Sequence, residues 1–178
     1  GVLEDMTQRL AVRWRLLLTL TSGLLAWGLL GVSVSHLGFD WIDRQWAAWP
    51  WLGVGLAVLA VTGLPHAFNI IDGYNGLAGA VALVVCLALA HVALQVADRE
   101  LAAMAIALAA ATAGFLVWNY PRGLIFAGDA GAYLWGLLIA VISLLLVQRH
   151  PIVSPWFPLL LLIYPVWETV FSIYRKLW

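Results

Sequence analysis

The segment 69–79 concentrates residue types that could bind a charged ligand. Its amide and carboxylate residues, Asn69, Asp72 and Asn75, recur at every third position, so in a helical turn they lie near one face. Glycines with the same spacing let a ligand or another backbone approach closely. One carboxylate between two amides suits a divalent cation bound to phosphate, because hard cations prefer oxygen ligands. The alternative is a local turn whose polar side chains satisfy the backbone and whose glycines serve helix packing.

The segment 119–131 holds a second set of candidate residues. Asp129 stands in a Gly-Asp-x-Gly pattern at the entrance to an apolar run, where it is either the N-cap of a helix or a metal ligand. Asn119 and Arg122 lie upstream of it and could hold phosphate or sugar oxygens. Arginine suits phosphate because its planar fork donates two parallel hydrogen bonds.

Charged residues near both ends of the sequence form two further candidate groups. Glu4 and Asp5 could bind a metal or deprotonate an attacking group, and the alternative is a solvated stretch beside the membrane. Glu168, followed by Arg175, could contact substrate or simply mark the interfacial end of a helix. The histidines show no metal-ligand spacing, and His66 is interpreted as a packing or locally hydrogen-bonded residue. The sequence contains no serine-hydrolase pattern, phosphate-binding glycine loop or dinucleotide fingerprint.

Composition places most of the chain in a lipid environment. Hydrophobic residues make up 64% of the 178 residues and charged residues only 10%, whereas a soluble domain is about a quarter charged. The formal net charge of zero provides no basic surface for nucleic acid. The single cysteine, Cys86, excludes a disulfide framework within the chain. These features predict an all-α polytopic integral membrane protein.

Long apolar runs set the expected topology, since about 20 residues span the hydrocarbon core. Six such runs lie at 16–35, 51–68, 77–96, 101–118, 131–148 and 152–172. Alternating sides place six basic residues on the side of the N-terminus and three on the other, which favours the N-terminal side as the cytoplasm. Carboxylates from four separate stretches fall on that side, namely Glu4, Asp5, Asp72, Asp129 and Glu168. We therefore expect about six transmembrane helices with the active site at the cytoplasmic face.

At these residues the chain resembles the polyprenyl-phosphate N-acetylhexosamine-1-phosphate transferase family of membrane glycosyltransferases. The resemblance rests on the order and spacing of four blocks that cover essentially the whole sequence. They are GVLED at 1–5 with RLL at 15–17, NIIDGYNGLAG at 69–79, NYP at 119–121 with FAGDAG at 126–131, and PVWET at 165–169 followed by Arg175. The block at 69–79 is the most specific of the four.

The resemblance implies a reaction and a set of residue roles. Family members use Mg²⁺, or Mn²⁺ in its place, to transfer a sugar 1-phosphate from a UDP-N-acetylhexosamine to polyprenyl phosphate, and they release UMP. Asp129 is then the metal ligand, Asp72 the carboxylate beside the metal and the pyrophosphate, and Glu4 with Asp5 the pair that activates the lipid phosphate. With the residues argued above, the candidate substrate-binding set is Asn69, Asn75, Asn119, Arg122, Glu168 and Arg175.

The resemblance also sets expectations for the whole protein. Residues 1–178 are expected to be one membrane-embedded catalytic core, part of a longer protein with further helices before it and a histidine motif after it. Its expected place is the cytoplasmic membrane of a bacterium, at the first membrane step of cell-surface polysaccharide synthesis, with UDP-GlcNAc as the default donor. A homodimer stays open.

Two alternatives remain at this stage. A transporter would use intramembrane acids near the bilayer midplane, whereas these acids fall at one face. A non-catalytic relative is kept open by Glu4 and Asn75, which stand where aspartates are usual in the family.

Overall fold

The structure, a computed structural model, describes residues 12–178, and this part of the chain is helical. It forms eight α-helices, numbered in chain order. They are α1 Val12–Leu30, α2 Asp40–Ala48, α3 Pro50–Ile71, α4 Leu77–Gln95, α5 Arg99–Asn119, α6 Gly128–Arg149, α7 Trp156–Leu161 and α8 Ile163–Leu177. The predicted all-α class is confirmed.

Within residues 12–178, four helices are long and apolar enough to cross a membrane, namely α3, α4, α5 and α6. They coincide with the predicted runs at 51–68, 77–96, 101–118 and 131–148. The first predicted run, 16–35, is shorter as a helix, because α1 ends at Leu30 and Gly31 adopts a left-handed φ of 66°. Its first turns also carry Arg13 and Arg15, which lower its mean hydropathy.

The sixth predicted run, 152–172, is two helices rather than one. Helix α7 ends at Leu161 and α8 begins at Ile163, with Leu162 as the cap of both. Pro165 has no N–H, so it cannot donate to the carbonyl of Leu161 as a continuous helix would require. The segment is therefore helical, as predicted, but is broken at Leu162 rather than continuous.

A close helix crossing joins α3 and α6. Gly136 of α6 is buried against the backbone of Leu64 and Pro65, and a Cβ built on it would lie 2.5 Å from the Leu64 carbonyl oxygen. Helices in lipid associate through such close approaches, since the hydrocarbon gives no hydrophobic drive between them. The crossing fixes the start of α6 beside the end of α3.

Gly136→Ala is expected to destabilise the protein by about 1–3 kcal/mol, because the methyl group meets backbone that cannot turn aside. Gly55→Ala in α3 is the matched control, since a Cβ at Gly55 meets nothing within 4 Å. Thermal unfolding in detergent measures both variants. Equal melting temperatures for the two would contradict the tight crossing.

Helices α4 and α5 form a hairpin packed through small side chains. Gly79 approaches Leu116, and the buried face of α4 continues through Ala82, Cys86 and Ala93. Small residues let the two backbones lie close together along their whole length. The hairpin therefore holds the end of α5 next to the start of α4.

At the other end of the bundle, Asp98 joins the start of α5 to the end of α6. It accepts a 3.0 Å hydrogen bond from the Leu101 N–H, and its other oxygen lies 3.0 Å from Nε2 of His150 and 3.4 Å from Nη1 of Arg149. Partial burial acts to raise the pKa of Asp98, but the hydrogen bonds from His150, the Leu101 N–H and Arg149 outweigh it and hold the pKa below its usual value. The ionised Asp98 thus caps α5 and holds the start of α5 beside the end of α6.

Candidate active site at one end of the bundle

Five helix ends meet at the end of the bundle opposite Asp98. Contacts between side chains join the first turns of α1, the end of α3 and the start of α6 around Asp129, and join the start of α4 to the end of α5 at Asn119. The structure thus brings Asp72, Asp129 and the two amides Asn69 and Asn119 to the same end. The alternation of spans had predicted this placement for both carboxylates.

Asp129 is the centre of the side-chain contacts in this region. It lies in the first turn of α6, one residue after Gly128, whose left-handed φ of 61° starts the helix. The N-cap position is Ala127, so the alternative role of Asp129 as an N-cap is wrong. Its Oδ2 accepts a 3.1 Å hydrogen bond from Nη1 of Arg15, and its Oδ1 accepts a 2.7 Å hydrogen bond from Nδ2 of Asn69. The carboxylate therefore faces α1 and α3 across the bundle.

Asp72 supplies a second, half-buried carboxylate next to this centre. It is the C-cap residue of α3, three residues beyond Asn69. Burial, and to a smaller extent the negative charge of Asp129, raise the pKa of Asp72 to about 6. The two carboxylates are thus close enough to repel each other, and a cation placed near both would be stabilised.

Arg15 belongs to this site. The sequence indicated it as part of the RLL block at 15–17 and as a basic residue that could meet lipid phosphates, but gave it no contact with Asp129. Its partner Asp129 is 114 positions away, so the contact depends on how α1 packs on α3 and α6. A further signal was present, because Arg15, Thr19 and Ser22 form an i, i+4, i+7 polar stripe on a mostly apolar helix. Such a stripe on a membrane helix indicates a polar environment inside the protein.

His66 of α3 contacts both α1 and α6, one helical turn along α1 from Arg15. Its Nε2 lies 3.0 Å from Oγ1 of Thr19, and its ring meets the Tyr133 ring edge to face at a centroid distance of 5.3 Å. Thr19 also donates to backbone carbonyls of the preceding turn of α1, including that of Arg15. The interpretation of His66 as a packing and hydrogen-bonding residue agrees with these contacts, and they fix α1 beside the site.

A cavity of about 130 Å³ opens between α1, α3 and α6 next to the site. Its lining consists of Arg15, Leu18, Thr19, Ser22, Pro65, Tyr133 and Leu137. The guanidinium and the Thr19 and Ser22 hydroxyls come from one face of α1, Tyr133 of α6 adds a phenol ring, and the leucines and the proline supply apolar wall. The cavity can therefore accept a ligand that has both a polar and an apolar part.

Asn119 joins the two loops that flank the site. It is only 5% exposed, its Oδ1 accepts a 2.6 Å hydrogen bond from the Gly76 N–H, and its Nδ2 donates to the Ile125 carbonyl at 2.8 Å. Asn75 reaches across the same gap and donates to the Pro121 carbonyl at 3.3 Å, but it is exposed. Asn119 is thus a positioning group in this structure, whereas the Asn75 side chain is open to solvent.

The remaining sequence candidates lie apart from this centre. Arg122 and Arg175 are exposed, and Glu168 is half-buried in α8. Among residues 12–178, no hydrogen bond or ion pair joins these three side chains to the carboxylate centre. Glu4 and Asp5 lie outside the described residues.

The donor chemistry of the site fits Mg²⁺. In the described part of the chain, no three His, Cys, Asp or Glu side chains converge on one point. Mg²⁺ does not need such a cage, since it is commonly held by one or two carboxylates together with waters and substrate phosphates. Asp72 and Asp129, whose charges repel each other, form a pair of this kind.

The fold and the site define a class of protein: a helical, multi-pass membrane protein with a carboxylate-centred site at one end of its bundle. Comparison with known proteins identifies the family within this class. The chain belongs to glycosyl transferase family 4, whose model matches residues 1–147. The family resemblance of the sequence blocks is thereby confirmed.

Three relatives illustrate the similarity. The "Probable undecaprenyl-phosphate N-acetylglucosaminyl 1-phosphate transferase" of Bacillus subtilis (strain 168) is 32% identical over 71% of this chain and 36% of its own length. The "Phospho-N-acetylmuramoyl-pentapeptide-transferase" of Synechococcus sp. (strain JA-3-3Ab) is 38% identical over 69% of this chain and 34% of its own length. The protein of that name from Moorella thermoacetica is 34% identical over 79% of this chain and 43% of its own length. The chain thus matches less than half the length of each of these relatives.

Proposed function

We propose that the protein transfers a sugar 1-phosphate from a UDP-N-acetylhexosamine to polyprenyl phosphate and releases UMP. The observation that carries this proposal is the position of Asp129, which contacts Arg15 and Asn69 beside Asp72 at one end of a membrane bundle. The names of the relatives support it, because they are transferases that act with undecaprenyl phosphate or on phospho-N-acetylmuramoyl-pentapeptide. UDP-GlcNAc is the first donor to test.

The proposed reaction is a phosphoryl transfer. An oxygen of the polyprenyl phosphate attacks the phosphorus that carries the sugar, the bond from that phosphorus to the UMP oxygen breaks, and UMP leaves with the electron pair. The product is a polyprenyl diphosphate sugar. Such a reaction depends on charge neutralisation and in-line positioning more than on a protein nucleophile.

Mg²⁺ held by Asp129 and Asp72 would neutralise the developing charge on the diphosphate. The amide of Asn69 orients Asp129 through the 2.7 Å hydrogen bond, so the carboxylate needs little reorganisation when it binds. Asn75 is exposed in the loop between α3 and α4, and its amide can donate a hydrogen bond to the sugar or the nucleotide of the UDP-sugar. Arg122, Glu168 and Arg175 remain candidates for substrate contacts, and Glu4 with Asp5 for activating the lipid phosphate.

The location suits two substrates of opposite solubility. The acceptor lies in the membrane and the donor in water, and the end of a helix bundle is where both are accessible. The cavity between α1, α3 and α6 supports lateral entry of a lipid, since Arg15 is at its polar part and Leu18 and Leu137 are at its apolar part. Counting spans places the excess of basic residues on the same side of the membrane as Asp72 and Asp129. This supports a site that faces the cytoplasm in a bacterial inner membrane.

UMP release in membranes or nanodiscs tests the proposal. The protein is incubated with undecaprenyl phosphate and UDP-GlcNAc, with Mg²⁺ or with a chelator, and UDP-glucose serves as a donor without the N-acetyl group. Release that requires Mg²⁺, the lipid and an N-acetylated donor is the expected result. Absence of release with every UDP-N-acetylhexosamine would refute the proposal and favour a transporter or a non-catalytic relative.

A further inference from the structure

We propose that Arg15 and a divalent cation compete for Asp129, so that the guanidinium is an exchangeable counter-ion of the metal-binding carboxylate. The proposal rests on the proposed function, since it takes Asp129 to be a metal ligand. It adds a role for Arg15 that is separate from holding substrate: it sets how tightly the site binds metal.

The hydrogen bonds of Asp129 lead to this competition. Oδ2 pairs with Nη1 of Arg15 at 3.1 Å, and Oδ1 accepts from Nδ2 of Asn69 at 2.7 Å. A carboxylate oxygen has two lone pairs, so a neutral amide can stay in place when a cation binds. A guanidinium cannot share the same oxygen with a divalent cation without strong repulsion, because both are positively charged. A cation that binds Oδ2 therefore displaces Arg15, whereas Asn69 can stay on Oδ1.

The surroundings of Arg15 allow it to leave. The ion pair is partly exposed, with 27% of the Arg15 side chain and 22% of the Asp129 side chain accessible, and such pairs contribute little net stability. Arg15 also lines the cavity of about 130 Å³, so its side chain has space beside it next to Thr19 and Ser22. Movement into that space keeps the charge at the cavity, where a phosphate can take the place of Asp129 as its partner.

The exchange also changes the positive charge next to Asp129. Asp72 and Asp129 repel each other, and Arg15 pairs with Asp129. A divalent cation that displaces Arg15 replaces one positive charge by two. The guanidinium it releases is then available to an anionic substrate, so metal binding and phosphate binding are coupled through one side chain.

Manganese binding, followed by the electron paramagnetic resonance signal of free Mn²⁺, tests the competition without any substrate or turnover. The purified protein in nanodiscs is compared with Arg15→Gln, Arg15→Lys, Asp129→Asn and the control Arg13→Gln. Arg13 is exposed on the same helix, and its replacement removes the same formal charge two residues away.

Arg15→Gln is expected to tighten Mn²⁺ binding about tenfold, because a competing charge at hydrogen-bond distance is removed. Arg15→Lys is expected to stay near the wild-type affinity, and Arg13→Gln to change it less than about twofold, since exposed charges are screened. A gain of affinity cannot come from misfolding. It therefore separates this role from a purely structural one.

Each of the other outcomes has a definite meaning. Unchanged or weaker Mn²⁺ binding in Arg15→Gln, with binding still lost in Asp129→Asn, would overturn the competition and leave the metal site of the proposed function in place. Mn²⁺ binding that is equal in the wild type and Asp129→Asn would overturn both. UMP release by the wild-type protein, measured separately, shows whether the transferase proposal itself stands.

Discussion

Asp129→Asn is expected to lower the rate of UMP release by a factor on the order of 10³, as removal of a group that stabilises transition-state charge does in other enzymes. The amide keeps the size of the side chain but has one acceptor oxygen, so it can accept from either Arg15 or Asn69, and the contact that is lost is partly exposed. It carries no charge, however, and is a much weaker ligand for a hard cation. The loss should therefore fall on turnover rather than on folding. Initial rates of UMP release at saturating Mg²⁺, together with melting temperatures in detergent, measure the two effects.

Asp40→Asn is the matched control for this substitution. Asp40 is an exposed carboxylate in the first turn of α2, away from the helix ends that form the site, and its replacement removes the same charge. Its rate should remain within about twofold of the wild type, because exposed distant charges are screened. A rate for Asp129→Asn within tenfold of the wild type, at an unchanged melting temperature, would exclude Asp129 as the main metal ligand.

The helices were predictable from the sequence wherever an apolar run has polar ends. The third run was placed at 77–96 and the corresponding helix is Leu77–Gln95. Gly76, with a left-handed φ of 81°, precedes that helix, and Asp98 caps the start of the next helix, α5. Local chemistry therefore fixes where each of these two helices begins. The run at 152–172 shows where hydropathy is insufficient, since its prolines, Pro155, Pro158 and Pro165, remove helical hydrogen bonds without reducing apolar character.

The site was predictable only as far as chain topology determines it. Alternating spans place Asp72 and Asp129 at the same end, whatever the packing between helices. The partners of Asp129 depend on which helices touch, and this is decided by close approaches such as Gly23 against Val58 and Gly136 against Leu64. A single sequence gives no pairing of that kind. The pairing of Arg15 with Asp129 was therefore recognised only in the structure.

Asn119 shows a second limit of sequence-based prediction. The sequence predicts that it binds substrate, because an amide near an arginine and a Gly-Asp motif could hold sugar oxygens. The structure places it below the surface with both ends of the amide bonded to backbone groups. Residue type alone cannot distinguish an amide that binds a ligand from one that builds the loops around it, because both roles use the same donor and acceptor.

Asn119→Ala is consequently expected to damage the site by separating its two loops. The substitution leaves the Gly76 N–H and the Ile125 carbonyl without their partner, and an unpaired buried polar group costs about 1–3 kcal/mol. Since the loops 72–76 and 120–127 carry Asp72 and lead to Asp129, we expect UMP release to fall by a factor on the order of 10², the scale of a small misplacement of catalytic groups. Hydrogen exchange measured by mass spectrometry should show faster exchange of the Gly76 amide.

Asn75→Ala is the matched control for the stability and exchange measurements. It removes the same side chain from the neighbouring loop, but Asn75 is exposed and its hydrogen bond to the Pro121 carbonyl is long, at 3.3 Å. Its melting temperature and the exchange of the Gly76 amide should stay close to the wild type, even if donor binding weakens. Unchanged exchange at Gly76 in Asn119→Ala, together with a raised KM for the UDP-sugar, would instead assign Asn119 to substrate binding. The two roles are distinguishable because a positioning amide acts on the protein before any substrate is added.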